Sequence, residues 1–195
     1  MKATLFTRMR WIPVLAAAAA LSLVGVSLDA PTAEAAGNIN PDTPSSLTIN
    51  KYDGDQGPRG DGTEIEDTSS LGTPLAGVEF TIRQVLTANG EEVNLDTAAG
   101  WDAIDGVVVA DVLAGDGFTF GDPITVTTDA NGQVTQDLPF GLYKVEETGS
   151  GDNNIISPAQ PFLVTLPLPQ TGGKWLYDVN VYPKNKTNQT KPTKE

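Results

Sequence analysis

Residues 175–184 read WLYDVNVYPK. Val179 and Val181 fall two apart with Trp175 in phase, while Leu176, Asp178 and Asn180 take the alternate positions, the period of a strand with one buried face. Pro183 ends it. Proline has no N–H for a ladder and holds the residue before it extended, so pairing is expected to stop at Tyr182, with the Lys184 amine presented at the strand end. Working outward, SLTINKYD (46–53) sets Leu47, Ile49 and Lys51 on one face against Thr48, Asn50 and Tyr52. VEFTIRQVL (78–86), GLYKVEET (141–148) and PFLVTLP (161–167) read as further strands. ITVTTDANGQVTQDLP (124–139) reads as a hairpin, two Thr/Val-rich runs around Asp-Ala-Asn-Gly. LDTAAGWDAIDGVVVADVLA (95–114) breaks the alternation and suits a short helix, with Asp96 or Thr97 as N-cap. Together these predict an all-β, mainly antiparallel sandwich of seven or so short strands with a short helical insertion.

The 195 residues leave room for one domain and a tail. At the start, Lys2, Arg8 and Arg10 precede an apolar run from Ile12 and a small-x-small stop at Ala33-Glu34-Ala35. Residues 1–35 therefore read as a secretory signal peptide, cut between Ala35 and Ala36. Residues 36–45 form a polar leader, 46–185 the sandwich, and 186–195 a polar stretch like a linker to a further domain. The chain has 12 basic and 25 acidic residues, a net charge of −13, and neither histidine nor cysteine. Such a surface repels nucleic acid. Histidine acid–base chemistry, thiolate nucleophiles and the commonest zinc sites are excluded, and no cofactor or metal is implied. Without disulfides, a secreted domain must rely on its core or on another cross-link.

Trp175, Val179, Val181, Tyr182, Pro183 and Lys184 match W-x-x-x-V-x-V-Y-P-K, the pilin motif, at every defined position. The chain resembles the N-terminal domain of the major shaft pilins of sortase-assembled Gram-positive pili, an immunoglobulin-like, Cna-B-type sandwich. LTINKYD, PLAGVEFTI, Gly100-Trp101 and LYKVEET extend the resemblance over nearly the whole mature chain. It implies that a pilin-specific sortase cleaves one subunit at a C-terminal LPXTG-type signal, holds the threonine carbonyl as a thioester, and passes it to the ε-amine of Lys184 in the next subunit. The chain would be a structural substrate and not an enzyme, secreted to the cell surface in a pilus anchored to the cell wall. Its partners would be other pilin subunits, the sortase and, for adhesion, host or bacterial receptors. Only about 0.04% of a free lysine is neutral at pH 7, so activation must come from desolvation or from a base in the enzyme complex.

The resemblance also brings an E-box, Y-x-L-x-E-T, whose glutamate assists an internal bond between a lysine and an asparagine or aspartate. Tyr143, Val145, Glu147 and Thr148 fit it. In domains that form this bond the reactive lysine commonly lies three residues before the lysine of K-x-D. Here Lys51 is the K-x-D lysine and the earlier position holds Thr48. That departure argues against an internal bond and for Glu147 as a structural hydrogen-bonding residue, with Lys51 and either Asn180 or Asn185 as the reserve candidates.

Three further motifs read as loop or turn. Arg59-Gly60-Asp61 is an integrin-type tripeptide that arises easily by chance in a Gly/Asp-rich loop. The acidic residues between Asp53 and Asp67 lack the ordered ligand spacing of a calcium loop. Leu168-Pro169-Gln170-Thr171-Gly172 has the shape that sortases cut, but it leads straight into the pilin-motif strand and no hydrophobic segment follows it. A turn is expected there, with Gly172-Gly173 as the bend. The alternative function is a surface adhesin that is not itself polymerised. A shaft subunit must donate as well as accept, so the chain reads as the N-terminal piece of a longer protein.

Overall fold

β1 (Ser46–Asn50) is the centre of a three-stranded sheet, paired in parallel with β12 (Asp178–Val181) and antiparallel with β7 (Gln133–Asp137). The first strand of the domain thus neighbours one of its last, with Leu47 opposite Val179 and Ile49 opposite Val181. The computed structural model describes residues 38–187 apart from 56, 58 and 59. The signal peptide with Ala35 and Ala36, Arg59, and residues 188–195 lie outside the described residues.

A six-stranded antiparallel sheet faces the first. β3 (Glu79–Ala88) and β8 (Gly141–Gly149) form its spine, β9 (Phe162–Leu166) pairs with β8, and β4 (Glu91–Glu92), β5 (Phe118–Phe120) and β6 (Ile124–Thr127) each pair with β3. Successive side chains in a strand point to opposite faces. On one face Phe80, Ile82, Tyr143, Val145 and Val164 pack with Leu47, Ile49 and Val179 of the small sheet. On the other, Val85, Leu142 and Leu163 pack with Leu95, Trp101, Ile104, Val109 and Val112 of the insertion. The large sheet is therefore buried on both sides, which is why GLYKVEET carries apolar residues at consecutive positions.

The helical expectation is refined into two short helices, α1 (Ala98–Ala103) and α2 (Val109–Ala114). Thr97 caps α1 by accepting the Gly100 N–H at 3.1 Å. A Cβ at Gly100 would overlap the Asn94 carbonyl oxygen, so only glycine fits beneath that turn. The neighbouring Trp101 is buried and donates Nε1–H to the Leu95 carbonyl at 2.9 Å.

The hairpin expected over 124–139 does not form. β6 pairs with β3 and β7 with β1, so the chain crosses between the sheets at this turn. Asp129 sets the crossing: its Oδ1 accepts the N–H groups of Asn131 and Gln133, and the Gly132 carbonyl accepts the Lys51 N–H at 2.7 Å. Strand alternation alone could not say which sheet each arm joins.

The motif strand also departs from simple alternation. It is broken at Tyr177 into β11 (Lys174–Leu176) and β12, and the Tyr177 carbonyl accepts the Ser46 N–H. Trp175 consequently packs on the helical side, 5.1 Å from Trp101 between ring centroids, while Val179 and Val181 pack between the sheets. Leu176 also turns inward, against the inter-sheet core.

Candidate functional site

Two consecutive residues at the end of the motif strand differ in burial, Lys184 partly exposed and Asn185 buried. Pro183 interrupts pairing after β12, but the ladder resumes at once: β13 (Lys184–Asn185) runs parallel to β2 (Tyr52–Asp53), with Lys184 opposite Tyr52 and Asn185 opposite Asp53. The expectation that pairing ends before Lys184 is corrected here. The proline removes one donor and leaves its carbonyl available, which accepts the Tyr52 N–H at 3.4 Å, and the Asn185 carbonyl accepts the Gly54 N–H at 2.8 Å. Lys184 is half-buried at the surface and Asn185 is buried. Tyr182 ties the 54–74 loop to this strand by accepting the Ile65 N–H at 2.7 Å, while Pro183 and Val179 are buried. Trp175 donates Nε1–H to Asn38 Oδ1 at 2.6 Å, so the leader is held against the motif at Asn38.

Asn185 faces a second lysine. Lys51 follows β1 in phase with Leu47 and Ile49, and its side chain is 0% exposed. Its Nζ donates to Asn185 Oδ1 at 2.5 Å and lies 3.0 Å from Glu147 Oε2. Glu147, 2% exposed, accepts Asn185 Nδ2–H at 2.6 Å through Oε1 and the Ala159 N–H at 3.0 Å through Oε2. The carboxylate therefore touches both the amine and the amide nitrogen. Burial pushes the Lys51 amine below its ordinary pKa, against the opposing charge and hydrogen bond of Glu147.

The chemistry available to this trio is amide exchange. In such an exchange a neutral Nζ would attack Asn185 Cγ, the Cγ–Nδ2 bond would break, and ammonia would leave. A buried carboxyl bonded to both nitrogens can take the proton from one and return it to the other.

The E-box-like residues divide accordingly. Tyr143 is buried and donates its hydroxyl to the Pro139 carbonyl at 2.6 Å, with burial raising its pKa; Val145 packs between the sheets. Thr148 points to the surface and donates to Glu79 Oε1 at 3.1 Å. Thr48, where the resemblance places a reactive lysine, lies on the outer face against Thr135, Oγ1 to Oγ1 at 2.8 Å. Asn180 is bonded by Asn50 and is not part of the trio. Glu147 makes the hydrogen bonds expected of it, and its partners include Lys51 and Asn185, one of the two reserve pairs. Lys51's phase with Leu47 and Ile49 already carried the signal, and the Thr48 argument outweighed it.

Residues 42–186 match the family model for the Gram-positive pilin subunit D1, N-terminal domain. The chain belongs to this family. It is 37% identical over 204 residues to the fimbrial subunit type 2 of Actinomyces naeslundii, covering 92% of this chain and 37% of that protein. The full-length major pilin SpaD of Corynebacterium diphtheriae is 30% identical with a TM-score of 0.57, over 77% of this chain and 34% of that one. The major pilin SpaA of the same organism, for which a modular pilus assembly and stabilizing isopeptide bonds are described, is 26% identical with a TM-score of 0.51, over 73% and 30%. The chain thus spans little more than a third of the fimbrial subunit it matches. It is a pilin domain, a β-sandwich of the kind found at the surface of Gram-positive cells.

Proposed function

We propose that this is the N-terminal domain of a pilus shaft subunit, joined into the fibre by a pilin sortase through an intermolecular amide on Lys184, and locked internally by a second amide between Lys51 and Asn185. The observation that carries the reading is the split of the motif's last two residues. Lys184 is partly exposed, while Asn185 is buried and bonds a buried lysine and carboxylate. In the first reaction the Lys184 amine attacks a threonyl thioester held by the sortase, and the enzyme's thiol leaves. The sortase supplies the nucleophilic catalysis, and this domain supplies the acceptor and its presentation.

The similarity to fimbrial subunits supports polymer formation, and the short β2–β13 ladder supports a fixed position for Lys184. In cells making the wild-type protein, an SDS-resistant ladder containing this chain is expected. Lys184→Ala should abolish its extension through this subunit. A ladder unchanged by Lys184→Ala would remove the acceptor assignment. A domain that never enters a ladder but binds a surface ligand would favour the adhesin reading instead. For the internal bond, the intact mass of the purified domain should be lower by one ammonia, and an unshifted mass after prolonged incubation would contradict it.

A further inference from the structure

The proposed role leaves the pentapeptide Leu168-Pro169-Gln170-Thr171-Gly172 unused. Its first three residues are β10 (Leu168–Gln170), paired antiparallel with β11 so that Leu168, Pro169 and Gln170 lie opposite Leu176, Trp175 and Lys174. Leu168 packs against the inter-sheet core beneath the backbone of Gly62, where a Cβ would collide with its Cδ2. Gln170 Nε2 donates to the Asp61 carbonyl at 2.8 Å, and Asn38 Nδ2 donates to the Gly173 carbonyl at 2.8 Å. Thr171, Gly172 and Gly173 are exposed, yet they form the turn, with Gly172 and Gly173 at φ +78° and +69°. The bond after Thr171 is open to solvent but closed to any enzyme that must grip five extended residues. Extending it means breaking the β10–β11 pairs and lifting Leu168 out of the core.

We propose that residues 168–172 are a latent sortase cleavage site silenced by conformation: a transpeptidase accepting LPXTG cuts the unfolded chain after Thr171 and spares the folded one. The inference rests on the reading that a sortase meets this chain. It makes folding a condition for entering the polymer intact, because a cut here removes Trp175, Val179, Lys184 and Asn185 together. The step balances: the enzyme's cysteine thiolate attacks the Thr171 carbonyl, the C–N bond to Gly172 breaks, and Gly172 leaves as a free amine. An added amine then displaces the thiol.

The test uses a recombinant LPXTG-accepting sortase with hydroxylamine as the nucleophile and mass spectrometry as the readout. Its substrates are a synthetic peptide of residues 164–177, the native chain from residue 36 to 195, and the same chain carrying Trp175→Ala and Val179→Ala, which leave the pentapeptide intact. The peptide and the destabilised chain should yield a product ending in the Thr171 hydroxamate. The native chain should react at least about a hundredfold more slowly than the peptide, since an ordinary domain is unfolded about one part in a thousand or less. A peptide that resists the enzyme, a native chain cut as fast as the peptide, or a variant that circular dichroism shows to be unfolded yet stays uncut, would each overturn the proposal. Hydroxylamine takes the place of the acceptor, so this outcome is independent of whether Lys184 accepts in the ladder experiment.

Discussion

Two lysines of one domain have opposite surroundings. Lys184 stays at the surface, while Lys51 sits fully inside with a carboxylate and an amide against its amine. A buried ion pair is stable only when its remaining hydrogen bonds are satisfied, and replacing it with a neutral covalent amide removes the cost of keeping two charges out of water. Glu147→Gln keeps the shape but cannot take up the proton, so its domain should retain the ammonia that the wild type is expected to lose, as read by intact mass. Lys51→Ala strands Glu147 in the core and should destabilise the domain by about 3–5 kcal/mol in urea unfolding, with Glu147→Gln in the same background recovering part of that loss. The unlinked Glu147→Gln variant should also reveal the lysine's titration. Burial holds its pKa below the ordinary lysine value of about 10.4, so between the folded value and that limit the unfolded chain carries a proton that the folded chain lacks. The stability of this variant should therefore rise with pH up to the ordinary lysine value and fall as the solution is acidified below it; a flat or inverted profile would contradict the assignment. At this scale the pilin motif was legible as a set of residues. The trio was legible only as separate candidates: Lys51 and Glu147 stood out, but the choice between Asn180 and Asn185 depends on the β2–β13 pairing, which brings together positions 51, 147 and 185.

Among the elements, strands were legible wherever one face is polar, as in β1, and the helical insertion was legible because alternation fails there. Partners were harder to read. β6 and β7 look like two arms of a hairpin until the Asp129 turn sends them to opposite sheets, a choice made by the Lys51–Gly132 backbone bond and by β1, far away in sequence. The break at Tyr177 likewise put Trp175 with Trp101, where alternation would have placed it beside Val179. The insertion should be an integral layer of the fold, since Trp101 fills the space over Val85, Leu142 and Leu163. Trp101→Ala should cost about 3–5 kcal/mol, measured by chemical denaturation. Within β9, Thr165 is fully buried and its hydroxyl has no hydrogen-bond partner among the described residues. Thr165→Val removes an unsatisfied polar group at nearly constant shape, so it should be neutral or stabilise the domain by about 1 kcal/mol. A loss of more than that in the same unfolding assay would show that the hydroxyl has a partner.

For the molecule as a whole, the parallel β1–β12 pair joins an early and a late segment of the described chain. The fold is complete only when residues near 46 and near 181 have met, followed by the β2–β13 ladder that carries Lys184. A chain stopped after Thr171 should therefore fail to fold, with loss of the sheet signal in circular dichroism, because β1 is left with an open edge and Val179 leaves a cavity opposite Leu47. The same closure explains how a sequence shaped like a cut site can lie within the domain as a turn. It also sets Lys184 one residue from Asn185, so under the proposed function that chain segment would be tied to the sandwich on one side and to the next subunit on the other. Peptide mapping of purified SDS-resistant fibres by tandem mass spectrometry tests this account most directly. Two branched peptides are expected: one with Lys184 acylated at Nζ by the threonine of another subunit, and one joining Lys51 to Asn185 with one ammonia lost. Fibres in which Lys184 is recovered unmodified and the intersubunit amide lies on another lysine would contradict the account.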